Sequence, residues 1–92
     1  MDYEQIHLRI NGRVQGVGFR VAAVKEAKRL SIGGWVKNTP EGDIELMGEG
    51  SHANIESLCR WCNKGPTLAE VTELKVLSRS PIQAPSTDFE IR

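Results

Sequence analysis

Gly12-Arg13-Val14-Gln15-Gly16-Val17-Gly18-Phe19-Arg20 separates two different periodicities of apolar residues. Before it, Ile6, Leu8 and Ile10 alternate with His7, Arg9 and Asn11, the period-2 pattern of a half-buried strand. After it, Phe19, Ala23, Ala27 and Leu30 recur at steps of four, four and three, which lines one face of a helix. Three glycines in seven residues therefore fall between a strand and a helix, where the backbone needs positive φ or close approach. A glycine-rich turn that feeds a helix N-terminus points several N–H groups at one place, beside the positive end of the helix dipole. Arg20 adds a planar, permanently charged fork suited to phosphate or carboxylate. The stretch reads as an oxyanion cradle; the plainer alternative is a tight turn with a surface arginine. No Gly-Lys-Ser/Thr follows as in a Walker loop, and Val21 stands where a dinucleotide-binding loop has its third glycine.

Outward from the cradle, Lys25, Lys28 and Arg29 occupy the polar side of the first helix, as solvated cations near its C-terminus. Ser31-Ile32-Gly33-Gly34 is read as the turn that ends this helix. Trp35 to Asn38 forms a second strand. Thr39-Pro40-Glu41-Gly42 fits a β-turn, and Asp43 to Met47 a third strand, so that the two pair as a hairpin. Gly48-Glu49-Gly50 leads to Ser51, a candidate N-cap for a second helix buried through Ile55, Leu58, Cys59 and Cys62 and flanked by Trp61. Gly65-Pro66 stops it. Val71, Leu74 and Val76 mark a further strand whose spacing is poor for alternation. Arg79 to Ser86 holds two prolines and reads as a loop, and Phe89 and Ile91 alternate in a closing strand. The order is two βαβ halves joined by a hairpin. It predicts an α+β, ferredoxin-like βαββαβ sandwich: an antiparallel sheet, two helices on one face and an additional C-terminal strand.

Ninety-two residues suit a single domain, residues 1–92. Twelve basic and twelve acidic residues cancel, so nothing pulls nucleic acid or an anionic membrane from a distance, and an anion site must be local. The polar start Met1-Asp2-Tyr3-Glu4-Gln5 is unlike a signal peptide, and no apolar run is long enough to span a membrane; a cytoplasmic location is expected. Cys59 and Cys62 form a C-x-x-C, open to redox or zinc chemistry, but both fall on the apolar stripe of the second helix, where cysteine acts as a small hydrophobe. His7 points to the polar sheet face. His52 lies in an exposed first turn with no partner near in sequence, and no role is assigned to it.

The cradle stretch resembles, residue for residue, the first signature of the acylphosphatase family. Gly34-Trp35-Val36-Lys37-Asn38-Thr39-Pro40-Glu41-Gly42 resembles its second. Gly65-Pro66 with Ala69 and Val71, and Thr87-Asp88-Phe89-Glu90-Ile91, extend the likeness from about Ile6 to Arg92. The resemblance implies the ferredoxin-like fold and hydrolysis of the carboxyl–phosphate bond of a small-molecule acyl phosphate. It implies a phosphate site formed by Gln15, Gly16, Val17, Gly18, Phe19 and Arg20. Arg20 and Asn38 would be the catalytic pair, Arg20 holding the phosphate and Asn38 orienting the attacking water. It further implies no metal, no organic cofactor and a phosphate that itself takes the water's proton. A monomer with no nucleic-acid or membrane partner is expected.

The residues agree with that chemistry. A carboxylate is already a good leaving group, so the protein need only hold the phosphoryl oxygens, offset their charge and aim a water. Asn38 can both accept and donate a hydrogen bond, although asparagine before a turn also has a purely local use. No paired carboxylates, Ser-His-Asp set or metal-ligand cluster stands near these blocks, which suits a substrate that acts as its own base. Two departures stand out. Ser31 replaces the family's usual glycine after the first helix, so the cap there is expected to be rearranged or strained. Lys37 replaces the usual arginine before the asparagine, keeping charge but losing the bidentate fork. The alternative function is a non-catalytic anion-binding or nucleic-acid-binding module of the same fold. RNA is disfavoured because the first and third strands carry no aromatic stacking platform.

Overall fold

The computed structural model describes residues 2–92. Its elements are β1 (Tyr3–Arg13), α1 (Phe19–Arg29), β2 (Gly33–Asn38), β3 (Ile44–Ser51), α2 (His52–Lys64), β4 (Glu70–Ile82) and β5 (Phe89–Ile91). The sheet order is β4-β1-β3-β2-β5. Pairings β1–β3, β1–β4 and β2–β3 are antiparallel, as the ferredoxin-like reading requires, while β5 joins β2 in parallel. The extra strand thus makes the sheet mixed rather than antiparallel throughout.

The core is the set that the two periodicities select. Ile6, Leu8 and Ile10 of β1, Val36 of β2 and Ile44 and Leu46 of β3 are fully buried, facing Phe19, Ala23 and Ala27 of α1 and Ile55, Leu58 and Cys62 of α2. Small alanines on α1 let that helix lie close to the sheet. Trp61 meets Phe19 edge to face, with ring centroids 5.3 Å apart, and this ties the two helices together. Ser51 caps α2 through its hydroxyl, which accepts from the Asn54 N–H at 3.2 Å. Cys62 is buried and Cys59 half-buried. Both thiols are free, and burial pushes both above their ordinary pKa, which leaves them as apolar packing rather than nucleophiles.

Three readings of the chain are corrected by the packing. Gly33 and Gly34 belong to β2 rather than to the turn: Gly34 has φ 136°, and a Cβ there would lie 1.9 Å from the Met47 carbonyl oxygen. Gly48 and Gly50 likewise continue β3, where Gly48 lies beneath Leu58 and Ile32. β4 runs on through Arg79 to Ile82, so the loop after it starts later than expected. Pro81 is tolerated because β4 is an edge strand with one side free of a partner. Its poor alternation has a cause as well. The β1–β4 register slips between His7 and Leu8 and between Asn11 and Gly12, leaving Leu77 and Thr72 without opposite partners.

Ser31 has φ 56°, the one positive value at a non-glycine among the described residues. The Ile32 N–H reaches the Ala27 carbonyl at 2.8 Å and the Ser31 N–H reaches that of Lys28 at 3.2 Å. Those two bonds are the Schellman termination of α1, retained with serine in the left-handed position.

Candidate active site

The cradle loop connects the end of β1 to the start of α1. Gly16 and Gly18 take φ 74° and 77°, so each turns the chain in a way that other residues resist. Gly18 precedes α1 and gives it no side-chain cap; the first bond across the boundary runs from the Ala22 N–H to the Gly18 carbonyl at 3.1 Å. Among the described residues, no protein acceptor takes the N–H groups of residues 15–18, and the first-turn donors of α1 lie beyond reach of any intrahelical carbonyl. The loop therefore offers donors at the positive end of a helix.

The loop borders, through Gly16 and Gly18, a cavity of about 180 Å³ lined also by Val14, Phe19, Arg20, Val21, Asn38 and Ile91. Arg20 reaches it from the first turn of α1, and Asn38 is the last residue of β2, placed by alternation on the helix-facing side with Val36. The Asn38 Oδ1 is buried and has no hydrogen-bond partner in the protein; Asn11 Oδ1 is in the same position. A buried acceptor left open beside a cavity calls for water or a ligand donor. Among the described residues that line the cavity, Arg20 is the sole ionisable one.

The sites expected from sequence divide accordingly. Gly16, Gly18, Phe19, Arg20 and Asn38 meet at the cavity, whereas the side chains of Gln15 and Val17 do not line it. Val17 packs against the core. The Gln15 Nε2 donates to the carbonyls of Thr39 and Asp43, each at 2.9 Å, and so ties the cradle to the β2–β3 turn that follows Asn38. That turn is closed by the Gly42 N–H on the Thr39 carbonyl at 3.1 Å and the Thr39 N–H on the Asp43 carbonyl at 2.9 Å. Val14, Val21 and Ile91 were not among the expected site residues. Val14 directly follows β1 and is buried, and Ile91 alternates with Phe89 in β5, so their share in a cavity shows only once the sheet is assembled.

Lys37 points to the other sheet face, 3.8 Å from Glu45 and over the Trp35 ring at 5.4 Å, so its difference from arginine lies outside the cavity. His7 is half-buried on that face, 2.6 Å from Glu45 and edge-on to Trp35. His52 has partners after all: its Nδ1 lies 3.2 Å from Glu4, and Arg79 bridges Glu4 and Glu56. Glu4, His52 and Glu56 are close enough together to suggest a cation site. The Arg79 guanidinium, donating to both carboxylates, already supplies the positive charge, at the opposite end of β1 from the cradle.

A family model described as Acylphosphatase matches residues 6–91. An acylphosphatase of Anaeromyxobacter sp. (strain Fw109-5) is 49% identical over 70 residues, covering 76% of this chain and 75% of that protein. One from Thermococcus kodakarensis is 48% identical over 75 residues, 82% of each. The crystal structure of acylphosphatase from Bacillus subtilis superposes with a TM-score of 0.90 at 32% identity, covering 97% of this chain and 98% of that one.

Proposed function

This chain belongs to the acylphosphatase family, and on that premise we propose that it hydrolyses acyl phosphates with Arg20 and the cradle amides holding the phosphoryl group and Asn38 aiming the water. The observation that carries this reading is the meeting of Arg20, Gly16, Gly18 and the unpartnered Asn38 carboxamide oxygen at one small cavity.

The N–H groups from Gln15 to Arg20 receive the phosphoryl oxygens, and the Arg20 guanidinium offsets the charge they share in the transition state. Each well-placed donor of this kind is worth roughly 3–4 kcal/mol at the transition state. Asn38 accepts a hydrogen bond from the water through Oδ1, which orients an oxygen lone pair toward phosphorus. The water oxygen bonds to phosphorus as the bond to the acyl oxygen breaks, and the electron pair leaves with the carboxylate. The proton of the water passes to a phosphoryl oxygen, because no carboxylate or imidazole among the described residues lines the cavity to take it. The products are a carboxylate and inorganic phosphate.

Phosphate release from benzoyl phosphate, followed with chelator present, tests the assignment. Arg20→Ala is expected to lose about a thousandfold or more in kcat/KM, as transition-state arginines do elsewhere. Asn38→Ala is expected to lose about a hundredfold in kcat while inorganic phosphate inhibits as well as before, since the residue acts on water rather than on the anion. An Asn38→Ala enzyme with weakened phosphate binding and normal turnover would refute the water-aiming role. A chain that binds phosphate but never turns over would be the silent anion-binding module instead.

A further inference from the structure

Five large apolar side chains are exposed among the described residues: Val21 (56%), Leu68 (66%), Val76 (52%), Leu77 (49%) and Ile91 (43%). Two of these, Val21 and Ile91, line the same cavity as Arg20 and Asn38, over a floor of buried Val14 and Phe19. They arrive from distant parts of the chain. Val21 follows Arg20 in the first turn of α1, while Ile91 is brought there by the parallel register that sets it opposite Val36, held by the Arg92 N–H on the Val36 carbonyl at 2.9 Å.

The charges nearby are arranged just as selectively. Arg92 follows Ile91 but lies over the Trp35 ring at 5.3 Å and pairs with Glu90 at 3.2 Å, on the opposite sheet face. Lys37 precedes Asn38 but also lies over Trp35. The cations that follow Ile91 and precede Asn38 are thus both held on the opposite face of the sheet. Among the residues that line the cavity Arg20 is the one cation, and in the reading above it is engaged by the phosphoryl group.

We propose that Val21 and Ile91 form the acyl-group subsite, so that the enzyme prefers acyl phosphates with a bulky apolar acyl group, aromatic or branched, over small or anionic ones. This rests on the phosphoryl end being held as described above. Binding such a group covers apolar surface that otherwise faces water, a gain that an acetyl group is too small to match and that a second carboxylate cannot supply.

The test compares benzoyl phosphate with acetyl phosphate in the unmodified chain and in the double variant Val21→Ala/Ile91→Ala. Both positions are exposed, so the variant is expected to fold. In the unmodified chain, kcat/KM should favour benzoyl phosphate by tenfold or more, and the double variant should cut that preference about tenfold, within what apolar pockets discriminate. Equal losses for both substrates, or no initial preference, would overturn the proposal. Calorimetric titration with benzoylphosphonate and acetylphosphonate, whose P–C bonds resist hydrolysis, separates the two levels of inference. Absence of turnover with a benzoyl preference in binding would sink the catalytic reading and keep the subsite. Turnover with equal binding of the two phosphonates would do the reverse.

Discussion

Ser31 holds φ at 56° because the Schellman bonds around it fix the exit of α1, and Ile32 beyond it is buried. A serine in the left-handed region is strained relative to glycine, with a net effect of about 0.5–1 kcal/mol after glycine's greater freedom in the unfolded chain is counted. Ser31→Gly is therefore expected to raise Tm by a few degrees in a thermal melt; a lower Tm would mean that the position carries no strain. Gln15 is the other residue whose role was hidden in the sequence. Its amide bonds two carbonyls of the β2–β3 turn, and each carbonyl keeps one backbone partner without it. Gln15→Ala should cost only about 1 kcal/mol in stability. Its larger effect is expected in kcat, a drop of about tenfold with KM little changed, as the cradle and Asn38 lose their common tie. Gln15→Glu, which keeps the length but not the donors, should behave like the alanine variant; retained kcat in both would remove the positioning role.

Among the elements, β5 contributes out of proportion to its length. Three residues close one edge of the sheet, and Phe89 and Ile91 point to the same side, one into the core and one into the cavity. Phe89 is 5% exposed and packs against the α1 side of the sheet. Phe89→Ala is expected to lower stability by about 3 kcal/mol, read as a lower denaturation midpoint at constant slope. A loss below about 1 kcal/mol would mean that β5 is not fixed by its core contact. At the other edge, β4 carries two bulges, Lys75 and Pro81, features that discourage pairing with another sheet. The bulges also account for the poor alternation of β4 in the sequence: two slips in register shift the apolar residues out of phase with any single alternation.

Across the whole molecule, charge is balanced and used locally. The start of β1, the first turns of α2 and the late part of β4 are joined by Glu4, His52, Glu56 and Arg79. Burial tends to raise the Glu4 pKa, but hydrogen bonds from Arg79 and His52 outweigh it and hold the carboxyl below its ordinary value of 4.5. A depressed folded-state pKa stabilises the fold at pH values above the unfolded-state pKa, and that contribution is lost as pH falls below about 4.5. Glu4→Gln should accordingly melt below the unmodified protein at pH 7, by an amount corresponding to about 1 kcal/mol or less, and the gap should be smaller at a pH well below 4.5. A gap of equal size at both pH values would assign the effect to shape rather than charge. No helix among the described residues is long and apolar enough to cross a membrane.

What the sequence determined by itself was the order of elements, the core and the family. Ile6, Leu8 and Ile10, then Phe19, Ala23 and Ala27, show their buried faces through local periodicity, and periodicity survives without knowledge of any partner strand. Arg20 and Asn38 could be named because their types and the glycines beside them form contiguous motifs. Only the tertiary structure decided what stands next to them. Ile91 becomes a cavity wall through a parallel pairing with β2, Gln15 becomes a tie through two carbonyls more than twenty residues away, and His52 gains Glu4 and Arg79 from two other elements. Each of these depends on register between segments remote in the chain, and register is set by the packing of the whole sheet rather than by any one stretch of residues.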